Sequence, residues 1–170
     1  MTYKASIDKL AKWITCIMFL IFISIGIKSF LLLLNDTSST NENFSHLLLF
    51  LFFFLILFFC WLYAPIHYII DTKYLIIHRK VKDISINLNE ISSVKLLSEK
   101  EIKGGIRMFG VGGVFGYFGL FQFPKIGTCS VFATQRKNMI LIETQKKKYI
   151  ISPDDIELSN YLLQRIETNK

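Results

Sequence analysis

The sequence predicts a two-helix transmembrane hairpin followed by a small, mainly-β open barrel capped by a C-terminal α-helix. Three observations lead there. Two long apolar runs occupy the first 63 residues. Beyond Pro65 the pattern changes to short β-rich segments separated by polar turns. The chain then closes on an apolar stripe at helical spacing.

Trp13 to Leu34 holds one charge, Lys28, and Phe44 to Tyr63 holds none. At about 1.5 Å per residue, each run makes a helix roughly 30 Å long, the thickness of the hydrocarbon core. Lys4, Lys9 and Lys12 precede the first run, and Lys73, Arg79, Lys80 and Lys82 follow the second. The segment between them, Asn35 to Ser45, has Asp36 and Glu42 but no Lys or Arg. The positive-inside rule therefore places both termini in the cytoplasm and a short polar loop outside the cell membrane. The expected organisation is a cytoplasmic N-terminus (1–12), transmembrane helices at 13–34 and 46–63, an extracytoplasmic loop (35–45) and a cytoplasmic domain (66–170). A cleaved signal peptide fits poorly, because the first run is too long and no small-x-small site follows it. Lys28 either snorkels to the outer interface or marks the end of the first span near Ile27. Trp13, Trp61 and Tyr63 mark the inner interface.

Residues 66–170 carry 16 of the 20 Lys and Arg and 10 of the 13 Asp and Glu, so they supply +6 of the net +7. A basic domain beside a membrane is drawn to anionic headgroups, although solvation alone also accounts for such a surface. The three cysteines, Cys16, Cys60 and Cys129, are too scattered for a disulfide framework or a zinc site. The three histidines show no metal-ligand spacing. No Ser, His or Cys has a partner at catalytic spacing, so the reading is of a non-enzyme without cofactor or metal.

Within the domain, His67–Ile70 and Tyr74–His78 flank the turn Asp71-Thr72-Lys73. Asp83–Leu88 alternates with period two, and Ile91–Leu97 continues as a strand. Thr128–Ala133, Asn138–Glu143 and Lys148–Ser152 are three more, joined by short polar breaks that suit consecutive antiparallel hairpins. Ser152 as N-cap, Pro153 at the first helical position and Asp154 and Asp155 in the first turn open the last helix. Its stripe is Leu158, Leu162 and Ile166.

Between these sets of strands lies Arg107-Met108-Phe109-Gly110-Val111-Gly112-Gly113-Val114-Phe115-Gly116-Tyr117-Phe118-Gly119. Phe115 stands where a dinucleotide fingerprint needs its third glycine, and no Gly-Lys-Ser/Thr follows as in a P-loop. Glycine at this density permits bulges and close backbone approach. This run resembles the bacterial PH-domain proteins that carry two transmembrane helices ahead of the domain. The resemblance continues through Phe132-Ala133-Thr134-Gln135-Arg136-Lys137-Asn138 and Tyr149-Ile150-Ile151-Ser152-Pro153-Asp154-Asp155, covering nearly all of 66–170. It implies a PH-like fold at a membrane and no catalytic activity.

The expected function is a non-catalytic binding or scaffolding module that engages a protein partner at the cytoplasmic membrane face. Direct recognition of anionic membrane lipids is the alternative. The second predicted strand returns toward the bilayer and makes Arg79, Lys80 and Lys82 the candidate lipid contacts. The first hairpin turn is too poor in cations and points the wrong way for inositol phosphates. Phe109, Phe115, Tyr117, Phe118 and Phe121 are the candidate partner or interface residues, unless the same aromatics simply fill the core. Nucleic acid is disfavoured, since no Lys or Arg interleaves with the aromatics. The sequence pattern assigns no oligomeric state.

Overall fold

The computed structural model describes residues 1–34 and 40–168. The apolar runs form α1 (Lys9–Leu34) and α2 (Thr40–Tyr63). Residues 40–45, expected in the loop, are helical, whereas Asp36 lies outside the described residues. Lys9–Leu31 and Phe44–Tyr63 are each long and apolar enough to cross a membrane. The helices run antiparallel: Phe22 stacks on Phe50 at 4.5 Å and lies 6.1 Å from Phe54, while Gly26 sits against the Phe50 ring. In that register Trp13 lies level with Trp61 and Tyr63.

The rest of the chain forms two sheets that are not closed into a barrel, with a helix at the C-terminus, in a PH-like arrangement. The first sheet is antiparallel in the order β1 (Thr2–Lys4), β2 (Pro65–Ile70), β3 (Tyr74–Arg79), β4 (Ile84–Asn87). The β2–β3 turn is the expected one; Thr72 N donates to Asp71 Oδ1 and Asp71 N to Tyr74 O. The second sheet contains β5 (Ile91–Leu96), β6 (Ile106–Gly112), β7 (Tyr117–Phe123), β8 (Gly127–Ala133), β9 (Ile140–Thr144) and β10 (Lys148–Ile151). Its order is β5-β9-β10-β8-β7-β6. Two helices complete the domain, the short α3 (Glu99–Ile102) and α4 (Glu157–Thr168).

One core joins the sheets and α4: Tyr68, Leu75, Ile77, Ile140, Ile142 and Ile151 pack with Leu158 and Leu162. Full burial of each such aliphatic side chain stabilises by about 1.5–3 kcal/mol relative to exposure. At its centre the Tyr68 hydroxyl donates to Phe132 O (2.7 Å) and accepts from Ser152 N (3.1 Å). Burial, the largest influence, pushes its pKa up to about 12.

Two sequence expectations are corrected. Of the last three strands, β9 and β10 form the expected antiparallel hairpin, but β8 and β9 do not pair: β10 lies between them and runs parallel to β8. The stretch Thr134–Met139 therefore crosses over β10 instead of turning back along β8. Ser152 does not cap the helix, which begins at Glu157. Ser152 Oγ is occupied in the core, accepting from Thr134 N (2.9 Å) and Gln135 N (3.2 Å). The Glu157 N–H is instead satisfied by Asp155 Oδ1 at 3.0 Å.

The first eight residues, expected as a tail, are part of the domain. Strand β1 pairs with β2, and the terminal amine donates to Ile70 O. Ser6 N donates to Asp154 Oδ1 (2.9 Å), Asp154 N to Lys4 O (3.0 Å), and Asp8 N to Thr134 O (3.1 Å). The domain is thus tied to both helices, through Asp8 into α1 and through Ala64 into β2.

Candidate functional site

Three features face the ends of α1 and α2. The first is the basic turn after β3. Lys80 Nζ lies 4.3 Å from the Trp61 ring centre and donates to Trp61 O at 3.3 Å. The Arg79 guanidinium stands over Tyr63 (5.5 Å) and Phe132 (5.7 Å), and its Nε donates to Lys82 O. Asp83 shapes the turn, accepting at Oδ1 from Arg79 N (3.1 Å) and lying 2.9 Å from His78 Nδ1. The Arg79 backbone N–H, then His78, holds the Asp83 carboxyl below its usual pKa. Partial burial lowers the pKa of both Arg79 and Lys80, and Lys82 is exposed.

The second feature is the glycine-aromatic run, which forms the β6–β7 hairpin. Gly110 and Gly119 face one another with φ of 116° and 127°, letting the two backbones approach more closely than any Cβ permits. The hairpin tip rests on α1: Phe115 N donates to Thr15 Oγ1 (2.9 Å), Phe115 stacks edge-on against Phe19 (6.1 Å), and Gly113 abuts Ile14. The five aromatics expected as one interface are divided. Tyr117 and Phe118 are buried on opposite faces of β7, Phe121 is half-buried, Phe115 is held by α1, and Phe109 is 78% exposed. Tyr117 packs with Cys129 and Val131 and also lines a cleft beside the start of α1, while Phe118 is buried on the other face of β7.

The third feature takes in only Tyr117 and Phe121 of the aromatics expected at an interface. A cleft of about 930 Å³ opens beside the start of α1. Its floor is apolar, with Ile102, Phe121, Phe123, Val131 and Met139. Its rim carries Lys9, Lys103, Arg136 and Lys137 together with Asp8 and Glu99. Asp8 organises one end: its carboxylate caps α1 by accepting from Ala11 N (2.7 Å) and also accepts from Arg136 N (3.3 Å) and the Tyr117 hydroxyl (3.4 Å). Burial, then the Asp8 charge, raises the Tyr117 pKa. The Arg136 guanidinium lies 5.0 Å from the Tyr117 ring centre. A volume of this size, with an apolar floor and a few convergent polar groups, suits a small molecule or a short chain segment.

His67 and His78 stack across β2 and β3 at 4.4 Å. Among the described residues, no group of three or more His, Cys, Asp or Glu could hold a metal ion. The free thiols of Cys16, Cys60 and Cys129 lie in different environments, exposed, half-buried and buried.

Residues 66–166 match the bacterial PH domain family, more than half of the chain. The chain belongs to that family. An uncharacterised protein of Clostridium acetobutylicum is 34% identical over 86 residues, which is 50% of this chain and 28% of that protein. This chain therefore aligns with less than a third of that relative's length. No solved structure matches.

This bacterial PH domain extends beyond its family boundaries, since Met1–Asp8 supplies both an edge strand and one wall of the cleft. A signal for that role was present. Asp8 stands a little over one helical turn ahead of the apolar run that begins at Trp13, a residue type suited to a helix N-cap. The cleft itself was illegible, because its lining comes from five separate segments of chain.

Proposed function

We propose that this bacterial PH domain is a membrane-anchored, non-catalytic scaffold that binds a protein partner at the cytoplasmic membrane face. Both helices cross the membrane, and both termini are cytoplasmic. The observation that carries the reading is the cleft beside α1. Cations and carboxylates share its rim, which suits a peptide segment with apolar anchors and mixed polar contacts better than a bare phosphate. The apolar floor supplies affinity, and the charges set register.

A second reading, recognition of anionic lipid, is favoured by the placement of Lys80 and Arg79 on Trp61 and Tyr63. Aromatic residues at helix ends sit at headgroup level, so the turn lies at that depth when α2 spans. Each cation near an anionic surface adds about 1 kcal/mol.

The test is purification of the full-length protein from its native membrane, with its lipids, in three forms. These are wild type, Lys103→Glu with Lys137→Glu at the cleft rim, and Arg79→Gln with Lys80→Gln and Lys82→Gln at the turn. The scaffold reading expects one stoichiometric protein that survives the turn changes and is lost with the rim changes. If no protein co-purifies and anionic lipid is enriched in all but the turn variant, the lipid reading replaces it.

A further inference from the structure

The β6–β7 hairpin sits where a membrane-anchored domain would meet lipid. Its tip is joined to α1 at Ile14, Thr15 and Phe19. Phe19 lies six residues beyond Trp13, roughly 9 Å further along the helix axis. Trp13 is level with Trp61 and Tyr63, so the Phe115 ring lies on the bilayer side of that aromatic belt. The hairpin is therefore not a loop above the membrane; its tip is beside the helix within the inner leaflet.

The adjoining edge strand has the composition of an interfacial element. Ile106, Met108 and Phe109 are 70%, 58% and 78% exposed, and Leu120, opposite Phe109 on β7, is 37% exposed. Strand β6 is the edge of the six-stranded sheet, and among the described residues none buries these side chains. Between Ile106 and Met108 stands Arg107, exposed and with its guanidinium beside Gly112 near the hairpin tip. A long cation among apolar side chains near a helix end is placed to lay its stem on lipid and its guanidinium at phosphate.

We propose that the β6–β7 hairpin is a third membrane-contacting element. Its tip and the Ile106–Phe109 face are immersed at the headgroup–acyl boundary of the leaflet next to the domain. Interfacial elements of this kind bury their apolar face about 5–10 Å deep, which matches the level of Phe115. The inference rests on the reading that α1 and α2 span, and it is independent of what the cleft binds. Its consequence is a domain held at three places.

The test uses full-length protein in liposomes, with Trp13→Phe and Trp61→Phe removing the native tryptophans. Single tryptophans are then placed by Phe109→Trp, by Phe52→Trp within α2, and by Leu96→Trp on exposed β5. Phospholipids brominated near the carbonyl, or near the middle of the acyl chain, serve as quenchers. The expected result is loss of most emission at position 109 with the shallow bromines and less with the deep ones, strong quenching at 52, and none at 96. Quenching at 52 with solvent-like emission at 109 overturns the proposal while leaving the anchor intact. Blue-shifted but unquenched emission at 109 also overturns it, by showing a protein cover. Absence of quenching at 52 overturns the anchor reading and this proposal with it.

Discussion

Replacing Gly110 by alanine should be among the most damaging one-carbon additions to this domain, and the reason is local. A Cβ at Gly110 would stand 2.3 Å from Phe118 O and 2.7 Å from the Gly119 Cα, both backbone atoms of the facing strand. No side chain can swing aside to relieve such a contact. The φ of 116° adds strain of about 1–3 kcal/mol for a residue with a Cβ. Moving β6 away from β7 would sacrifice ladder hydrogen bonds of about 0.5–1.5 kcal/mol each. A combined cost of roughly 3–5 kcal/mol follows. Gly127 supplies the control, since its φ is 86° but nothing lies within 4 Å of its would-be Cβ. Gly127→Ala should cost only the conformational part, about 1–2 kcal/mol.

For a domain of this size, each kcal/mol shifts the melting midpoint by about 4–8 °C, so Gly110→Ala should melt on the order of 10 °C below Gly127→Ala. Thermal unfolding of the two variants in detergent, followed by near-ultraviolet circular dichroism, measures the difference. Gly119→Ala should match Gly110→Ala, because its Cβ would meet Phe109 O at 2.2 Å. Midpoints for Gly110→Ala and Gly127→Ala within a degree or two of each other would refute the close-approach argument.

Tyr68→Phe should cost about 1–3 kcal/mol, because it leaves Phe132 O and Ser152 N buried without their partner. Tyr68 also predicts an alkaline dependence. Its folded pKa of about 12 lies above the ordinary 10.0, so the neutral phenol is favoured by folding. Its contribution is complete below pH 10 and falls as pH rises toward 12; unfolding titrations of wild type and Tyr68→Phe should converge over that window. Asp154→Ala should free the N-terminal segment by removing the carboxylate that accepts from Ser6 and the Gln135 side chain. Limited trypsinolysis at Lys4 and Lys9 should then accelerate while the six-stranded sheet stays protected.

The helices and most strands were legible because each is declared by a local pattern, a charge-free run of sufficient length or an alternation bounded by turn residues. The place of β10 between β8 and β9 was not, since strand order depends on partners distant in sequence. The helix start at Ser152 failed for an instructive reason. Ser, Pro and two Asp satisfy the capping rules, but Ser152 is buried beside Tyr68, and tertiary hydrogen bonds outcompete the local role. Arg79, Lys80 and Lys82 became candidates through their expected position relative to the second apolar run. Phe109 became a candidate together with Tyr117 and Phe118, because composition does not separate an exposed aromatic from buried ones on the same hairpin. That separation requires the strand pairing and the side of the sheet each residue faces.

A domain joined to a helical hairpin by one linker would tumble freely, but here the chain is fastened on both sides of the hairpin formed by α1 and α2. Before α1, β1 and Asp8 bind the domain; after α2, Ala64 leads at once into β2. Asp8 is the critical fastener, because its carboxylate caps α1 while holding Arg136 N and the Tyr117 hydroxyl. Loss of the cap alone costs about 1 kcal/mol, too little to unfold the domain. Two fasteners in parallel should behave non-additively when cut. A Gly-Ser insertion between Tyr63 and Pro65 should barely change domain mobility, and neither should Asp8→Ala, since either fastener suffices. Together they should loosen it, although the β1–β2 pairing and the Phe115–Thr15 contact remain, seen as a rise in the mobility of a spin label on β5 in liposomes. If the insertion alone frees the label, the N-terminal segment is not a tether, and the orientation of the cleft is set by α2 alone.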